Sequence, residues 1–184
     1  MLSADGGQCS TRSRKGGVVP GVHVCSLKVD TPQLIAPGTT YKIVRFPFGA
    51  AEPTDTFQMH QATQPDGYVV SNWATDDRSG LIWPSKAGWG HLYAMIQWEA
   101  ASGSGGYTEL RDQYVRDPLG LTPNPNDTTA TEHRTPTPGG QYYVKSHGIF
   151  VAPGTPVALR VTHNDAASRL LTLAEFKLVI HDAA

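Results

Sequence analysis

From Gly140 to Asp182 the chain alternates apolar and polar residues with few interruptions. In V-A-L-R-V-T-H, Val157, Leu159 and Val161 fall on one side, and Ala158, Arg160 and Thr162 on the other. In L-T-L-A-E-F-K-L-V-I, Ala174, Phe176, Leu178 and Ile180 share a face. A period of two with one apolar face describes strands buried on one side. Three strands are predicted here, separated by the turn signals A-P-G-T-P and N-D-A-A-S.

The first half reads the same way. Val18–Val29 is a strand in which Cys25, Leu27 and Val29 share a face, and Thr39–Phe46 follows a turn at Ala36-Pro37-Gly38. Phe57–Ala62 is a short candidate. Asp66-Gly67 signals a hairpin that leads into Tyr68–Trp73. Gly80–Trp83 stops at Pro84. Gly90–Ala100 is the longest apolar run of this half: Leu92, Ala94, Ile96 and Trp98 face one way, Tyr93, Met95, Gln97 and Glu99 the other. Both faces of that strand are therefore expected to be partly covered. Tyr107–Val115 comes next. Residues 117–139, rich in Pro, Thr and Asn, read as a long loop, and loops of that length commonly bind something or cover a surface. No apolar stripe at helical spacing runs far enough to predict a helix; A-A-S-R-L-L-T-L-A-E-F serves as loop plus strand.

Length then sets the scale. The 184 residues fit one folded unit, 18–184, preceded by an arm, 1–17. A charged fraction of 17% with 19 Gly and 14 Pro suits a loop-rich all-β protein. The net charge of −1 gives no electrostatic footprint for nucleic acid or an acidic membrane, so neither is expected as a partner. The arm has almost nothing apolar to bury, but it clusters Arg12, Arg14 and Lys15. It reads either as a frayed terminus or as a tether that orders on a partner. With no signal-peptide pattern and no apolar stretch near about 20 residues, the chain is expected neither to be exported by the usual route nor to enter a membrane. Cys25 reads as a core thiol or, less simply, as half of a disulfide.

Candidate chemistry is sparse. The seven histidines include no metal-binding pair at helical spacing, and there is no C-x-x-C. Asp76 and Asp77 sit in a polar turn beside Arg78, where carboxylates solvate the turn or, less simply, hold Ca²⁺. No nucleophile elbow, phosphate loop or dinucleotide fingerprint is present. No catalytic residue, metal or cofactor is therefore expected. Trp73, Trp83, Trp89 and Trp98 crowd the middle of the chain. They fill a core or an interface, or else some of them, with Trp73 and Trp89 as the candidates, stack on sugar rings.

The order of these signals resembles the tumour-necrosis-factor-like jelly roll, shared with the globular heads of complement and many phage fibre tips. The resemblance runs from Val18 to Asp182. It is carried by V-H-V-C-S-L-K-V, A-P-G-T-T-Y-K-I-V-R-F, G-L-I-W-P-S-K-A-G-W-G-H-L-Y-A-M-I-Q-W-E, G-G-Y-T-E-L-R-D-Q-Y-V, V-A-P-G-T-P-V-A-L-R-V-T-H-N-D and L-T-L-A-E-F-K-L-V-I. It implies a β-sandwich that forms a compact homotrimer around an aromatic and aliphatic seam. Tyr93, Met95, Tyr114, Tyr142 and Phe150 are the expected seam residues. Residues 1–17 lack a collagen-like repeat. A bare head with a short arm suggests a bacteriophage virion protein, a capsid decoration or minor tail protein. It would be anchored to the major capsid or tail protein through Arg12, Arg14 and Lys15. The alternative is a module that binds carbohydrate or a host-surface glycan through Trp73, Trp89 and the 117–139 loop. A cupin-like enzyme is a third class and would need clustered histidines.

Overall fold

A computed structural model describes residues 21–101, 106–123 and 127–181. The arm, with Arg12, Arg14 and Lys15, lies outside them. Ten strands are present among the described residues: β1 (Val22–Val29), β2 (Gln33–Ile35), β3 (Gly38–Ile43), β4 (Thr54–Asp55), β5 (Gly88–Trp98), β6 (Leu110–Arg116), β7 (Asp127–Arg134), β8 (Gln141–Val151), β9 (Val157–His163) and β10 (Arg169–His181). Short 3-10 turns at Gly49–Ala51 and Asp77–Gly80 are the only helical pieces among these residues.

All pairings are antiparallel, and four of them are nested. The first long strand pairs with the last, β1 with β10; then β3 pairs with β9, β5 with β8, and β6 with β7. This is the pairing of a jelly roll, a long hairpin wrapped into two sheets. The first sheet runs β4-β1-β10-β5-β8, with β2 paired to the start of β10. The second runs β3-β9-β6-β7.

The expected alternation sets the core. Leu92, Ala94, Ile96 and Trp98 of β5, Ala174, Phe176, Leu178 and Ile180 of β10, and Val157, Leu159 and Val161 of β9 are all buried between the sheets. Cys25 joins them as a free thiol. The Phe176 ring is sandwiched by Phe46 and Tyr114, at centroid distances of 6.3 and 5.9 Å. One charge crosses this layer. Lys145 of β8 spends its three donors on the Asp112 carboxylate (2.7 Å) and on the Asp112 and Ala130 carbonyls (3.2 Å each), so it bolts one sheet to the other with no ammonium proton left over. A second apolar cluster lies on the outer face of the second sheet. There Ile43, Val115 and Ala158 are covered by Leu81, Trp83 and the half-buried Leu121.

Three expected strands are absent, each for a local reason. Phe57–Ala62 is a turn because the Asp55 carboxylate accepts the Met59 and His60 amides, 2.8 and 2.9 Å away, and Gln58 turns left-handed at φ 54°. Around Asp66-Gly67 the chain does reverse, with Gly67 at φ 86°, but pairing stops at the single Thr63–Val69 bridge. Gly80–Trp83 makes only the Ile82–Val157 bridge. Conversely, the expected 117–139 loop contains β7, an eight-residue edge strand. Its sequence, D-T-T-A-T-E-H-R, has Ala130 as its one apolar residue and so carries no alternation to detect.

Candidate functional site

The most exposed apolar surface lies on the outer face of the first sheet. On β5, Trp89, His91, Tyr93 and Met95 point away from the core, and their direct partners on β8 are Phe150, Gly148, Ser146 and Val144. Tyr142 extends the face opposite Gln97. Trp89 is 49%, Tyr93 43%, Tyr142 61%, Val144 74% and Phe150 53% exposed. A single sheet face thus leaves five large apolar side chains in water within two neighbouring strands. Contiguous apolar area of this kind marks an interaction site far more often than scattered surface hydrophobics do.

Local packing arranges the patch. The Trp89 indole lies flat across Gly148: a Cβ added there would sit 2.8 Å from the ring. Only glycine leaves room for that approach. His91 fills the space between Trp89 and Tyr93, at ring centroid distances of 6.3 and 6.4 Å, and meets His181 edge-on at 5.3 Å. Tyr93, Met95 and Val144 rim a hollow of about 200 Å³ whose floor ends at Glu175 and Lys177. Those two charges pair with each other at 3.0 Å, so the polar border of the hollow is internally neutralised.

Four of the five expected seam residues share this face: Tyr93, Met95, Tyr142 and Phe150. Tyr114 does not. It belongs to β6 in the second sheet and is 0% exposed; its hydroxyl donates to the Lys145 carbonyl at 2.9 Å. A side chain wholly inside its own subunit has no surface to offer a neighbour, and the expectation for Tyr114 is corrected accordingly. Trp89 and Val144 are the members that the sequence reading did not place in the seam. Continuing the i, i+2 series from Tyr93 back to Trp89, and from Tyr142 on to Val144, would have found both. The structure does not bring the two candidate sugar-stacking residues together. Trp89 is on this face, whereas Trp73 packs against the core beside β3 and lines a separate cleft.

The buried polar groups are structural. His163 donates through Nε2 to the Ile35 carbonyl at 3.1 Å and accepts the Asp165 amide on Nδ1, so one neutral tautomer accounts for both bonds. Arg169 is held by Asp165 and stacks over Tyr107 at 4.7 Å. Burial pushes the Tyr107 hydroxyl up to about 12. Burial likewise drives the Tyr114 hydroxyl and the Cys25 thiol upward, which leaves that thiol in its unreactive, protonated form. Among the described residues no three His, Cys, Asp or Glu side chains converge as metal ligands. No helix among them is long and apolar enough to cross a membrane.

The nested pairing and the two facing sheets define the fold as a jelly-roll β-sandwich. Among solved structures, the globular domain of zebrafish complement 1qA aligns over 88% of this chain and 98% of its own, with a TM-score of 0.56 at 8% sequence identity. Eiger TNF from S. frugiperda aligns over 89% and 95%, with a TM-score of 0.48 at 12% identity. Murine APRIL aligns over 85% and 98%, with a TM-score of 0.45 at 10% identity. Likeness at such identity shows the fold alone. No protein-family model matches the chain, and no curated protein does.

Proposed function

We propose that this protein is a self-assembling, non-catalytic head domain that forms a homotrimer through the outer face of its first sheet. The observation that supports this reading is the continuous patch of Trp89, Tyr93, Val144, Phe150 and Tyr142, which no part of the described chain covers. A sandwich buries one face of each sheet, and an apolar second face needs another surface. Trimeric order comes from the resemblance to tumour-necrosis-factor-like heads; the patch supplies a surface suited to it. Aromatic residues with few charges are the composition that protein interfaces favour. The reading is of a protein that acts by presenting and joining surfaces.

Attachment of such a trimer to a capsid or tail, expected from the sequence, gains no support from the fold, the face or the neighbours. Arg12, Arg14 and Lys15 lie outside the described residues.

Light scattering of the purified chain at micromolar concentration tests the reading. The expected mass is three times the 19.8 kDa of one chain. Val144→Glu and Phe150→Glu place charges on outward positions, leave the core alone, and should give a folded monomer. A wild-type protein that stays monomeric, or variants that still assemble, would overturn the proposal.

A further inference from the structure

A cleft of about 380 Å³ opens beside β2 and β3, away from the association face. One wall is the β2 segment and the other is the end of β3; the loop carrying Trp73 and Asp77 closes it. Its volume lies within the range of about 300–1,000 Å³ typical of small-molecule sites.

The wall is rigid because its polar groups are already tied. The Gln33 amide clamps both backbone groups of Arg45, at 2.9 and 3.0 Å, in the manner of a strand pair. Arg45 in turn donates from Nε (2.9 Å) and Nη2 (2.6 Å) to one oxygen of Asp77, Oδ1, and from Nη1 to the Ala74 carbonyl at 2.8 Å. Because both contacts fall on Oδ1, the second carboxylate oxygen keeps its acceptor capacity. Asp77 is 42% exposed in its side chain and Arg45 is 32% exposed, so the pair is fixed and still open to solvent. Lys42 is exposed at the rim. Trp73 packs against the core and also lines the cleft, while Leu34, 69% exposed, stands beside it.

We propose that this cleft binds a saccharide end group. A pyranose ring has a C–H face and a rim of hydroxyls that both donate and accept. The half-buried Trp73 indole and Leu34 offer the apolar surface for the C–H face. Asp77 Oδ2 accepts from one hydroxyl, and the spare N–H groups of Arg45 donate to its neighbour. The pair is preorganised by contacts made without ligand, which lowers the cost of binding. Two cations, Lys42 and Arg45, against one carboxylate, Asp77, favour a sugar that carries a carboxylate of its own, with Lys42 as its partner.

The test uses the full chain, titrated with N-acetylneuraminic acid and glucuronic acid, and with galactose and glucose as neutral counterparts, read by ligand-observed NMR. The expected result is millimolar or tighter binding of at least one acidic sugar, weaker binding of the neutral ones, and loss in Trp73→Ala. Since Trp73 also touches the core, Lys42→Gln and Asp77→Asn, both at exposed side chains, carry the decision. Each should weaken acidic-sugar binding roughly tenfold, equivalent to about 1.4 kcal/mol, in a protein that remains folded by circular dichroism. Trp89→Ala should leave binding unchanged. Absence of binding to all four sugars at millimolar concentration would overturn the inference. Binding indifferent to Lys42→Gln and Asp77→Asn, or lost in Trp89→Ala, would do the same.

Discussion

His60 lends itself to a quantitative test because both of its ring nitrogens face acceptors. The side chain is 0% exposed. Nε2 lies 2.7 Å from the Ser79 carbonyl, which can only accept, so Nε2 carries a hydrogen. Nδ1 faces the Glu52 carboxylate, itself only 6% exposed. A further proton must therefore sit between Nδ1 and Glu52, on whichever of the two holds it. Phe48 stacks on the imidazole at 4.4 Å, and the His60 amide donates to Asp55. One side chain thus pins three stretches of irregular chain, 48–52, 55–60 and the 3-10 turn at Asp77–Gly80.

His60→Ala removes both bonds, strands the buried Glu52 carboxylate and leaves the Ser79 carbonyl with only the Phe46 amide, 3.3 Å away. Breaking one side of a buried pair costs about 3–5 kcal/mol. Glu52→Gln behaves differently. Its amide N–H donates to Nδ1 of a neutral ring, while Nε2–H still reaches Ser79, so both bonds survive at a cost of about 1 kcal/mol. The double variant His60→Ala, Glu52→Leu removes the stranded carboxylate and should recover about 2 kcal/mol relative to His60→Ala alone. Urea unfolding followed by tryptophan fluorescence reads these differences as midpoint shifts. At an m value of about 2 kcal/mol per molar, His60→Ala should lower the midpoint by roughly 2 M. Association adds to apparent stability, so all variants are compared at one protein concentration. If Glu52→Gln proves as damaging as His60→Ala, or if His60→Ala costs under about 1 kcal/mol, the shared-proton account is wrong.

Two further outcomes follow from the packing. Gly148→Ala places a methyl 2.8 Å from the Trp89 indole, which must lift off β8; sedimentation should show weakened assembly with circular dichroism unchanged, and unaltered assembly would mean that the flat indole is irrelevant to the contact. Burial, then the charges of Asp55 and Glu52, raise the folded Cys25 thiol well above its ordinary range. Because an unfolded thiol ionises near pH 8.5, the unfolded state binds fewer protons than the folded state above that pH, and stability falls as pH rises, by up to about 1.4 kcal/mol per unit. Urea midpoints on either side of about pH 9 should show that slope in the wild type and a shallower one in Cys25→Ala; equal slopes would contradict it.

The inner faces were legible from sequence because every second residue is apolar along Leu92–Trp98 of β5, Val157–Val161 of β9 and Ala174–Ile180 of β10. Tyr114 was misread for a physical reason. In L-R-D-Q-Y-V-R the inward positions are Leu110, Asp112 and Tyr114, and the buried Asp112 breaks the apolar series. Its burial is sustained by Lys145, which arrives from β8, and by Arg134 from β7. The direction of β6 is thus decided by partners distant in the chain, which no local alternation can report. The cleft was hidden for a similar reason. Trp73 could be singled out as a residue type, but its neighbours Gln33, Lys42 and Arg45 meet it only once β2 and β3 take their places at the edges of different sheets.

The two outer faces of the sandwich then make the case for association by contrast. On the second sheet Val115 and Ala158 point outward as paired neighbours, and the chain covers them itself, with Leu81 and Trp83 from the segment bridged to β9 and Leu121 from the turn after β6. On the first sheet the equivalent surface of β5 and β8 has no such cover among the described residues, although it carries larger and more aromatic side chains. A chain that covers one apolar outer face with its own loops and leaves the other bare has the surface that the proposed association requires. That asymmetry is why Val144→Glu and Phe150→Glu should separate subunits without loosening them.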